Sequence, residues 1–438
     1  MKKYDEYKDS GVAWIREVPK HWEVGKLKHC SHIVLGKMLM TSPPKGSEGS
    51  YTLEKYLKSK NVGWLQLFLE EDNIDEMWFN QYEKSIYKLQ ENDIVMNEGG
   101  DIGKVSCWRG TDFDCYIQNS INKITADYNR VDAGFLCYWL YNLSSLGYFW
   151  SIVSQISIAH LTKEKLSNSP VVLPPITEQV AIATYLDTHC AKIDNLISIQ
   201  QKRIALLQEL KQSVITHAVT KGLNPNVEMK QSGVEWIGDV PKHWEVMPLK
   251  FTGTFGNGLT YSPKDVVDNG ILVLRSSNIQ NSSLSFEDNV YVSKVSRDLL
   301  VKKGDIIICS RNGSAALVGK SAFVDKELNA TFGAFMMRYI PNIEKKYGFY
   351  LFQTAIGQYK GYFSTTTINQ LTKTTIGEIK IPLAMAEEQA AIASYLDHKC
   401  ATIDASISNA QHQIDLLQEY KQSLITEVVT GKRKVTEN

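Results

Sequence analysis

Two stretches of this chain each occur twice, and the repeat that they form constrains the fold more than any other feature. Residues 8–28 (KDSGVAWIREVPKHWEVGKLK) and 230–250 (KQSGVEWIGDVPKHWEVMPLK), called the front motifs, are identical at 15 of 21 positions. Residues 178–220 and 388–430, called the long motifs, are identical at 27 of 43 positions. The chain is therefore two copies of one unit, and each copy consists of a front motif, a variable region and a long motif.

The variable regions between the motifs differ far more than the motifs do. The offset between the copies falls from 222 at the front motifs to 210 at the long motifs, so the first variable region is 12 residues longer. Short echoes nevertheless recur in the same order: YLKSKNV (56–62) and VLRSSNI (273–279), Asn92-Asp93-Ile94 and Gly304-Asp305-Ile306, and LTK at 161–163 and 371–373. We interpret the variable regions as one fold that carries two different surfaces.

The long motifs have the period of a helix. Apolar residues recur at alternating spacings of four and three, which predicts a long helix with a coiled-coil seam. The seam residues are Leu186, Cys190, Ile193, Ile197, Ile204 and Leu207 in the first copy, and Leu396, Cys400, Ile403, Ile407, Ile414 and Leu417 in the second. The same period places Lys211 and Lys421 on the seam, where a lysine can extend its amine to solvent or fix the register.

The sequence leaves two partners open for each seam. A helix on the surface of a globular core has a wider apolar stripe, which Leu206 and Leu210 would supply. Two matched seams in one chain favour pairing with each other instead. Because a helix of about 40 residues spans roughly 60 Å, a variable region of this size cannot easily carry the chain back along it, and we expect the helices to run antiparallel.

These inferences define an α+β fold with two globular domains separated by two long antiparallel coiled-coil helices, in a pseudo-twofold internal repeat. We expect the first globular domain at 1–172, a central spacer helix at 173–222, the second globular domain at 223–383 and a C-terminal spacer helix at 384–438. The length of 438 residues fits two or three domains.

The charge of the chain gives no direct sign of a nucleic-acid partner. The net charge is zero overall, −4 for residues 31–172 and +5 for residues 251–383. Neither variable region has the strong basic excess of a protein that binds mainly through phosphates. Any affinity for DNA must then come from local patches or from partner subunits that help to enclose the DNA.

Candidate DNA contacts are polar side chains on turns rich in Gly, Ser and Asn. Arginine can bind guanine with two hydrogen bonds, asparagine can bind adenine, and serine can contact phosphate or base. An ordinary polar turn is the alternative for each of them. The candidates are Lys58, Ser59, Lys60, Asn61, Glu98 and Lys104 in the first variable region, and Arg275, Ser276, Ser277, Asn278, Arg311, Asn312 and Lys320 in the second.

Signals for catalysis and for a bound metal are missing from the sequence. It contains neither a phosphate loop of the GxxxxGK[ST] type nor the Asn-Pro-Pro-Tyr or Asp-Pro-Pro-Tyr signature of adenine methylation. Gly253–Gly258 (GTFGNG) lacks the helix and acidic residue of a cofactor loop. His29-Cys30-Ser31-His32 lacks further ligands at regular spacing. We predict no catalytic residue, no metal site and no cofactor in this chain.

The remaining features fit a cytoplasmic protein. Seven scattered cysteines without a CxxC pair predict neither a disulfide framework nor a zinc ribbon. The first residues, MKKYDEYKDSG, lack the apolar segment of a signal peptide. Residues 133–162 carry no formal charge, but polar residues interrupt them, so we expect a buried helix and a turn rather than a membrane span.

The repeated motifs also resemble a known family. SGVEWIGDVPKHWEV (232–246) and its first copy SGVAWIREVPKHWEV (10–24) are similar to the opening of the DNA-specificity subunits of type I restriction-modification systems. The stretch that begins LPPITEQVAIATYLDTHCAKID (173–194) resembles their central region, and LLQEYKQSLITEVVTGK (416–432) resembles their C-terminal region. The resemblance covers the whole chain, although the variable regions match only in their sparse echoes.

The resemblance implies a function and a set of partners. Each variable region would be a target-recognition domain that reads one half of an interrupted double-stranded DNA site. The helices would set the gap between the halves and dock two methyltransferase subunits. Those subunits would bind S-adenosylmethionine, flip the target adenine and methylate it at N6. A restriction subunit could join the complex.

Two other classes of function stay open on the sequence alone. A self-contained nuclease or methyltransferase would show metal-dependent or S-adenosylmethionine-dependent activity of the isolated chain. A two-headed coiled-coil scaffold without DNA binding would agree with the near-neutral charge, and binding that is indifferent to DNA sequence would favour it.

Overall fold

The computed structural model describes residues 3–70, 73–153, 159–363 and 370–435. The chain divides into two compact units. The first unit combines residues 1–200 with residues 412–438, and the second unit consists of residues 201–411. Each unit therefore contains one variable region and a part of each long motif.

The secondary structure of the first half of the chain consists of short strands followed by one long helix. Its strands are β1 (Tyr7–Asp9), β2 (Glu17–Pro19), β3 (Glu23–Lys26), β4 (Ser31–Leu35), β5 (Tyr51–Leu57), β6 (Asp75–Asn80), β7 (Ile94–Asn97), β8 (Val105–Cys107), β9 (Tyr116–Ile117), β10 (Ile121–Ala126) and β11 (Pro170–Leu173). Its helices are α1 (Gln81–Tyr87), α2 (Ala133–Ser145), α3 (Tyr148–Ile152), α4 (Lys163–Ser167) and α5 (Ile176–Lys221).

The second half has the same succession. Its strands are β12 (Met229–Gln231), β13 (Asp239–Pro241), β14 (Glu245–Pro248), β15 (Gly253–Asn257), β16 (Val266–Val267), β17 (Ile271–Leu274), β18 (Ile279–Gln280), β19 (Ser283–Leu284), β20 (Tyr291–Val292), β21 (Ile306–Cys309), β22 (Ser321–Phe323), β23 (Ala330–Phe332), β24 (Met336–Pro341) and β25 (Lys380–Leu383). Its helices are α6 (Lys345–Phe363), α7 (Lys373–Gly377) and α8 (Ala386–Val429). The chain therefore has the α+β content that the sequence predicts.

The two variable regions share one four-stranded sheet of the same strand order and one parallel strand pair. An antiparallel sheet has the strand order β4-β10-β7-β8 in the first unit and β15-β24-β21-β22 in the second. A parallel pair accompanies it, β5 with β9 in the first unit and β17 with β23 in the second. This shared topology agrees with the interpretation that one fold carries two surfaces.

The sequence echoes mark the turns of this shared fold. Asn92 and Gly304 have φ angles of 68° and 94°, values that asparagine and glycine tolerate better than most residues. The next residue closes the turn in each unit, since the Asp93 carboxylate accepts a hydrogen bond from Gln90 N at 2.7 Å and Asp305 does the same in the second unit. The isoleucine that follows begins a buried strand. This sequence echo therefore reflects the residue types that the shared turn requires.

The front motifs contact the beginning of the long motifs. Trp22 and Trp244 are fully buried, and their indole N–H groups donate to Glu178 at 3.3 Å and Glu388 at 2.9 Å. The preceding histidine in each unit also contacts the same glutamate. Because a buried indole N–H requires an acceptor, the two motifs depend on each other, which explains why they repeat together.

In the first unit, parts of both long helices pack together. Leu186 and Cys190 of α5 share a buried core with Leu424 of α8. The Lys421 ammonium lies 2.7 Å from both carboxylate oxygens of Asp194. Because Arg433, beyond the end of α8, lies over the ring of Tyr185, the two segments run in opposite directions within this unit.

The second unit contains the equivalent packing. Ile215 of α5 shares a buried core with Leu396 of α8. The Lys211 ammonium lies 2.7 Å from both carboxylate oxygens of Asp404. Lys211 and Lys421, at equivalent repeat positions, therefore each pair with an aspartate of the other long helix. The apolar periodicity alone did not reveal these ion pairs.

The helices also pack against the globular part of each unit. The Tyr138 hydroxyl of α2 donates to Asp187 at 2.8 Å, and the Tyr350 hydroxyl of α6 donates to Asp397 at 2.7 Å. The seam residues nearest these contacts are buried, whereas Ile197, Ile204, Leu207, Ile407 and Leu417 are half-buried. Long helix α5 thus fits a coiled coil that packs on a globular core at its end.

The uncharged stretch 133–162 includes residues 154–158, which lie outside the described residues, and its part from Ala133 to Val153 contributes to the core of the first unit. Its helix α2 buries ten of its 13 residues. Within the residues that the structure describes, no helix is long and apolar enough to cross a membrane. The expectation of a buried helix therefore holds for this stretch as far as Val153.

Candidate nucleic-acid interface

A tight turn follows the parallel strand in each unit. Asn61 and Asn278 are fully buried, and each side-chain oxygen accepts a hydrogen bond from the residue three positions earlier, at 3.0 and 2.9 Å. Their amide groups donate to backbone carbonyls, including Phe68 O at 3.2 Å and Ser285 O at 3.0 Å. These two predicted contact residues therefore hold the turn and leave no exposed surface of their own.

The cations on these turns are paired within their own unit. Lys58 contacts Asp75 directly, and Lys60 lies 3.6 Å from the same carboxylate. In the second unit Arg275 lies 2.7 Å from Asp288. The Lys58 hydrogen bond lowers the pKa of Asp75.

The acid on the second turn is held in the same way. Hydrogen bonds from Ser277 and then Arg275 lower the pKa of Asp288. Each turn is therefore closer to neutral than its count of cations suggests.

The hairpin that joins β7 to β8 in the first unit and β21 to β22 in the second presents the second group of candidates. Asn97 N donates to Lys104 O at 2.9 Å, and Cys309 N donates to Lys320 O at 2.8 Å. Lys104 and Lys320 are thus equivalent, although six residues (98–103) lie between Asn97 and Lys104 in the first unit and ten (310–319) between Cys309 and Lys320 in the second. Lys104 pairs with Asp101 at 2.5 Å, whereas Lys320 makes no ion pair with any described residue.

The turn and the hairpin meet in both units. The Ser59 hydroxyl donates to Gly99 O at 3.1 Å in the first unit. The Asn312 amide donates to the Ser276 hydroxyl at 3.2 Å in the second. The structure therefore brings the two groups of candidates together in each unit, although they are about 40 residues apart in sequence.

Two further segments complete the surface, and their positions are equivalent in the two units. Glu98 N donates to Ser120 O at 2.9 Å, and Leu161 N donates to Glu98 O at 2.7 Å. In the second unit, Ser310 N donates to Phe335 O at 3.0 Å, and Leu371 N donates to Ser310 O at 2.7 Å.

Glu98 therefore corresponds to Ser310, Ser120 to Phe335 and His160 to Gln370. We call these surfaces the loop clusters. The first comprises residues 58–61, 97–104, Ser120 and His160, and the second comprises residues 275–278, 309–320, Phe335 and Gln370.

The side chains at these equivalent positions differ in chemistry. In the first loop cluster, the Glu98 carboxylate lies 2.7 Å from Nδ1 of the exposed His160, and Glu98 is only 8% exposed. In the second, the Arg311 guanidinium lies over the Phe335 ring, 5.4 Å from its centroid, and Phe335 is 62% exposed. The surfaces offer a carboxylate with an imidazole in one unit and a cation with an aromatic face in the other.

Sequence reasoning missed Ser120, His160, Phe335 and Gln370. The signal that could have found two of them is the LTK echo, because His160 and Gln370 each come directly before it. The contact predictions for the other candidates stay predictions. No group of three or more His, Cys, Asp or Glu that could hold a metal occurs among the residues that the structure describes.

A second candidate surface lies on the long helices. Leu206 and Leu210 of α5, in the second unit, are 65% and 50% exposed. Leu416 and Tyr420 of α8, in the first unit, occupy the equivalent repeat positions and are 49% and 51% exposed. Leu206 and Leu210 therefore do not widen the buried seam. The repeat instead gives each unit an exposed apolar pair at equivalent helix positions.

Comparison with known proteins places this architecture in one family. The model of the type I restriction modification DNA specificity domain matches residues 19–209 and again residues 241–414, well over half of the chain. The MjaVIII specificity subunit of a type I restriction enzyme from Methanocaldococcus jannaschii is 25% identical over 95% of this chain and 94% of its own length. The EcoKI specificity subunit from Escherichia coli K12 is 28% identical over 44% of each chain.

A solved structure shares the fold. It comes from a study of complex assembly and conformational transition in the type I restriction-modification system, and its chain superposes with a TM-score of 0.70 at 15% sequence identity. The match covers 94% of this chain and 98% of that chain. At this level of identity the similarity concerns the fold alone.

Proposed function

This chain belongs to the family of type I restriction-modification DNA specificity subunits, and we propose that it reads a two-part interrupted DNA site, one half with each loop cluster. Subunits of this family are non-catalytic, and other subunits carry out methylation and cleavage. The observation that carries the proposal is the pair of loop clusters, which have the same backbone hydrogen bonds but different side chains. Such a pair suits one protein that must contact two different sequences on the same kind of duplex.

The long helices would set the gap between the half-sites. We propose that α5 and α8 form one antiparallel spacer with a pseudo-twofold relation between the two ends. The ion pairs Lys211–Asp404 and Lys421–Asp194 support this. On each helix the lysine comes 17 positions after the aspartate, so one antiparallel alignment of the helices satisfies both pairs. Helix α5 has 46 residues and is about 70 Å long.

The exposed apolar pairs on the helices would dock two methyltransferase subunits. Exposed leucines and a tyrosine at equivalent positions suit two copies of one partner, because burial of apolar surface stabilises an interface. Those partners would bind S-adenosylmethionine and extract the adenine from the duplex. A restriction subunit could join the same complex, and the complex would work on DNA in the cytoplasm.

Partner subunits would also account for the modest charge of the chain. Lys58, Lys104 and Arg275 already contact carboxylates of their own unit. Cations that are neutralised in this way release fewer counterions from DNA than unpaired ones. Much of the phosphate contact would then come from the methyltransferase subunits, and this chain would supply the sequence preference.

Mapping of N6-methyladenine in cells tests the proposal. Cells that express this chain with its cognate methyltransferase subunit would show methylation in a single interrupted motif, and cells that express the methyltransferase subunit alone would not. Absence of a motif despite co-purification of the two subunits would favour the alternative of a scaffold that does not bind DNA.

Insertion of one heptad into both helices tests the spacer. Seven residues after Ile204 and seven after Ile414 would lengthen the spacer by about 10 Å, which corresponds to about three base pairs of DNA. Both half-sites would stay the same and the gap would grow. The same insertion in α5 alone is the control, because it breaks the alignment of the helices, and an unchanged gap in the double insertion would refute the spacer role.

A further inference from the structure

We infer that one base-reading position lies in each loop cluster, with Arg311 reading a guanine in one half-site and Glu98 reading a cytosine in the other. The inference rests on the proposed function and assigns bases to the surface described above. His160 and Phe335 would act as positioning residues for the two reading side chains.

The two loop clusters have equivalent backbone positions. The backbone of Glu98 and that of Ser310 make the same two hydrogen bonds, so the chain arrives at the same place in both units. Gly99 and Arg311 are the next residues in each. A surface that meets the same duplex geometry but must read a different sequence needs this combination of fixed backbone and changed side chain.

Arg311 has an exposed side chain, and its guanidinium has no carboxylate partner among the residues that the structure describes, unlike Arg275 or Arg338. The guanidinium lies over the ring of Phe335, 5.4 Å from its centroid, and Arg311 N donates to Phe335 O at 3.1 Å. The planar fork of a guanidinium matches the O6 and N7 acceptors of guanine in the major groove.

Glu98 places an acid in a cluster that would face DNA. Phosphates repel a carboxylate, so a carboxylate that contacts DNA does so at a hydrogen-bond donor on a base. One carboxylate oxygen contacts His160 Nδ1 at 2.7 Å, which fixes the orientation of the other. An ionised carboxylate only accepts hydrogen bonds. The amino group of cytosine is a donor in the major groove, whereas the N7 acceptor of adenine and of guanine would repel the carboxylate.

The test uses the full chain with its cognate methyltransferase subunit. Methylation rates are measured on duplexes that carry each of the four bases at every position of the motif. The variants are R311A and R311K for the second cluster, and E98Q for the first. R297A and E91Q are matched controls, since Arg297 and Glu91 are exposed residues of the same units outside the loop clusters.

Opposite results are expected at two positions of the motif. In R311A, the preference for guanine at one position of one half-site falls by about 10- to 100-fold, the range of one bidentate arginine–guanine pair, and R311K loses most of it because an ammonium lacks the two-pronged geometry. In E98Q, the preference at one position of the other half-site moves from cytosine toward adenine. The control variants leave both half-sites unchanged.

Several results would overturn the inference. One is an unaltered motif in R311A and E98Q complexes that still methylate DNA. Another is a uniform loss of rate on all duplexes without a change of base preference, because that is the behaviour of a phosphate contact. A further variant, F335A, must weaken the same position as R311A, and an effect elsewhere in the motif contradicts the pairing of these residues. A wild-type complex without any motif would instead defeat the proposed function itself.

Discussion

The loop clusters of the two units share the backbone hydrogen bonds at their bases and differ in the surfaces that they present. In the first, a hairpin of six residues presents Glu98 to His160, and in the second a hairpin of ten residues presents Arg311 to Phe335. The hydrogen bonds that hold the hairpins at their bases are the same. This fold therefore fixes where the chain crosses the surface, and it leaves the length and the chemistry of the segment between the crossings free to vary.

The front and long motifs show the opposite behaviour. Trp22 and Trp244 have the same burial and the same kind of acceptor, and the repeat preserves the residues around them. A buried tryptophan tolerates few substitutes because its volume and its N–H group both require a match. The similarity between the units is therefore highest where side chains interlock and lowest where they face solvent.

Exchange of one variable region for the other is the strongest way to test this comparison. If residues 29–173 replace residues 251–383, both loop clusters carry the same side chains. We expect the half-site of the second unit to disappear and that of the first to occur twice, on opposite strands, in a symmetric interrupted motif. Methylation mapping reads this directly, and persistence of the original second half-site would mean that sequence is read outside the variable regions.

Removal of the buried tryptophans tests the shared framework. W22A and W244A should each destabilise their own unit by about 3–5 kcal/mol, as other tryptophan-to-alanine changes in protein cores do. Urea unfolding followed by circular dichroism measures both. If the loss of unfolding free energy were large in one unit and small in the other, the front motifs would be alike in sequence but would not stabilise their units equally. W22F and W244F, which keep an aromatic ring, serve as milder controls.

The helix ion pairs offer a finer comparison. The side chain of Lys421 is 15% exposed and that of Lys211 is 26% exposed. Partly exposed pairs usually couple by about 0.2–1 kcal/mol, and less exposure gives stronger coupling. Double-mutant cycles with K421A and D194A, and with K211A and D404A, should give a larger coupling for the first pair. If the two coupling free energies were equal or in the opposite order, solvent screening would not explain the difference between the two ion pairs.

The smallest expected effect concerns two equivalent lysines. Lys104 pairs with Asp101, whereas Lys320 has no ion-pair partner in the described parts of the chain. K320A should reduce the slope of log binding constant against log salt by about one, the effect of one lost phosphate contact. K104A should change it less. The measurement is a salt titration of DNA binding by the complex, and a larger effect of K104A would reverse this ranking.

Much of the fold follows from the sequence because periodicity and repetition are local signals. The spacing of Leu186, Cys190 and Ile193 predicts a helix, and the structure has one at Ile176–Lys221. The Asn92-Asp93-Ile94 echo indicates a shared turn because that turn needs a residue that tolerates positive φ and a carboxylate after it. Such requirements lie within a few residues of each other.

The candidate site is harder to predict from the sequence because its residues lie far apart along the chain. Glu98 and His160 are 62 residues apart, and no periodicity connects them. The hairpins differ in length, so a simple offset cannot align Glu98 with Ser310. Asn61 is a residue type that often contacts DNA, but here it is fully buried. A turn that needs an internal amide and a surface that needs an exposed amide both favour asparagine, so the sequence does not distinguish them.

The last helix contributes to the first unit, and this orders events during synthesis. Leu424 and Val428 lie in the core that contains Trp139, and the Thr426 hydroxyl donates to Asn142 of α2 at 2.7 Å. The second unit ends at residue 411, so all its residues have been made before the core of the first unit can close. Domains usually fold in the order in which the ribosome makes them. Here the unit that starts first must wait, with part of its apolar surface exposed, until the unit that starts later is complete.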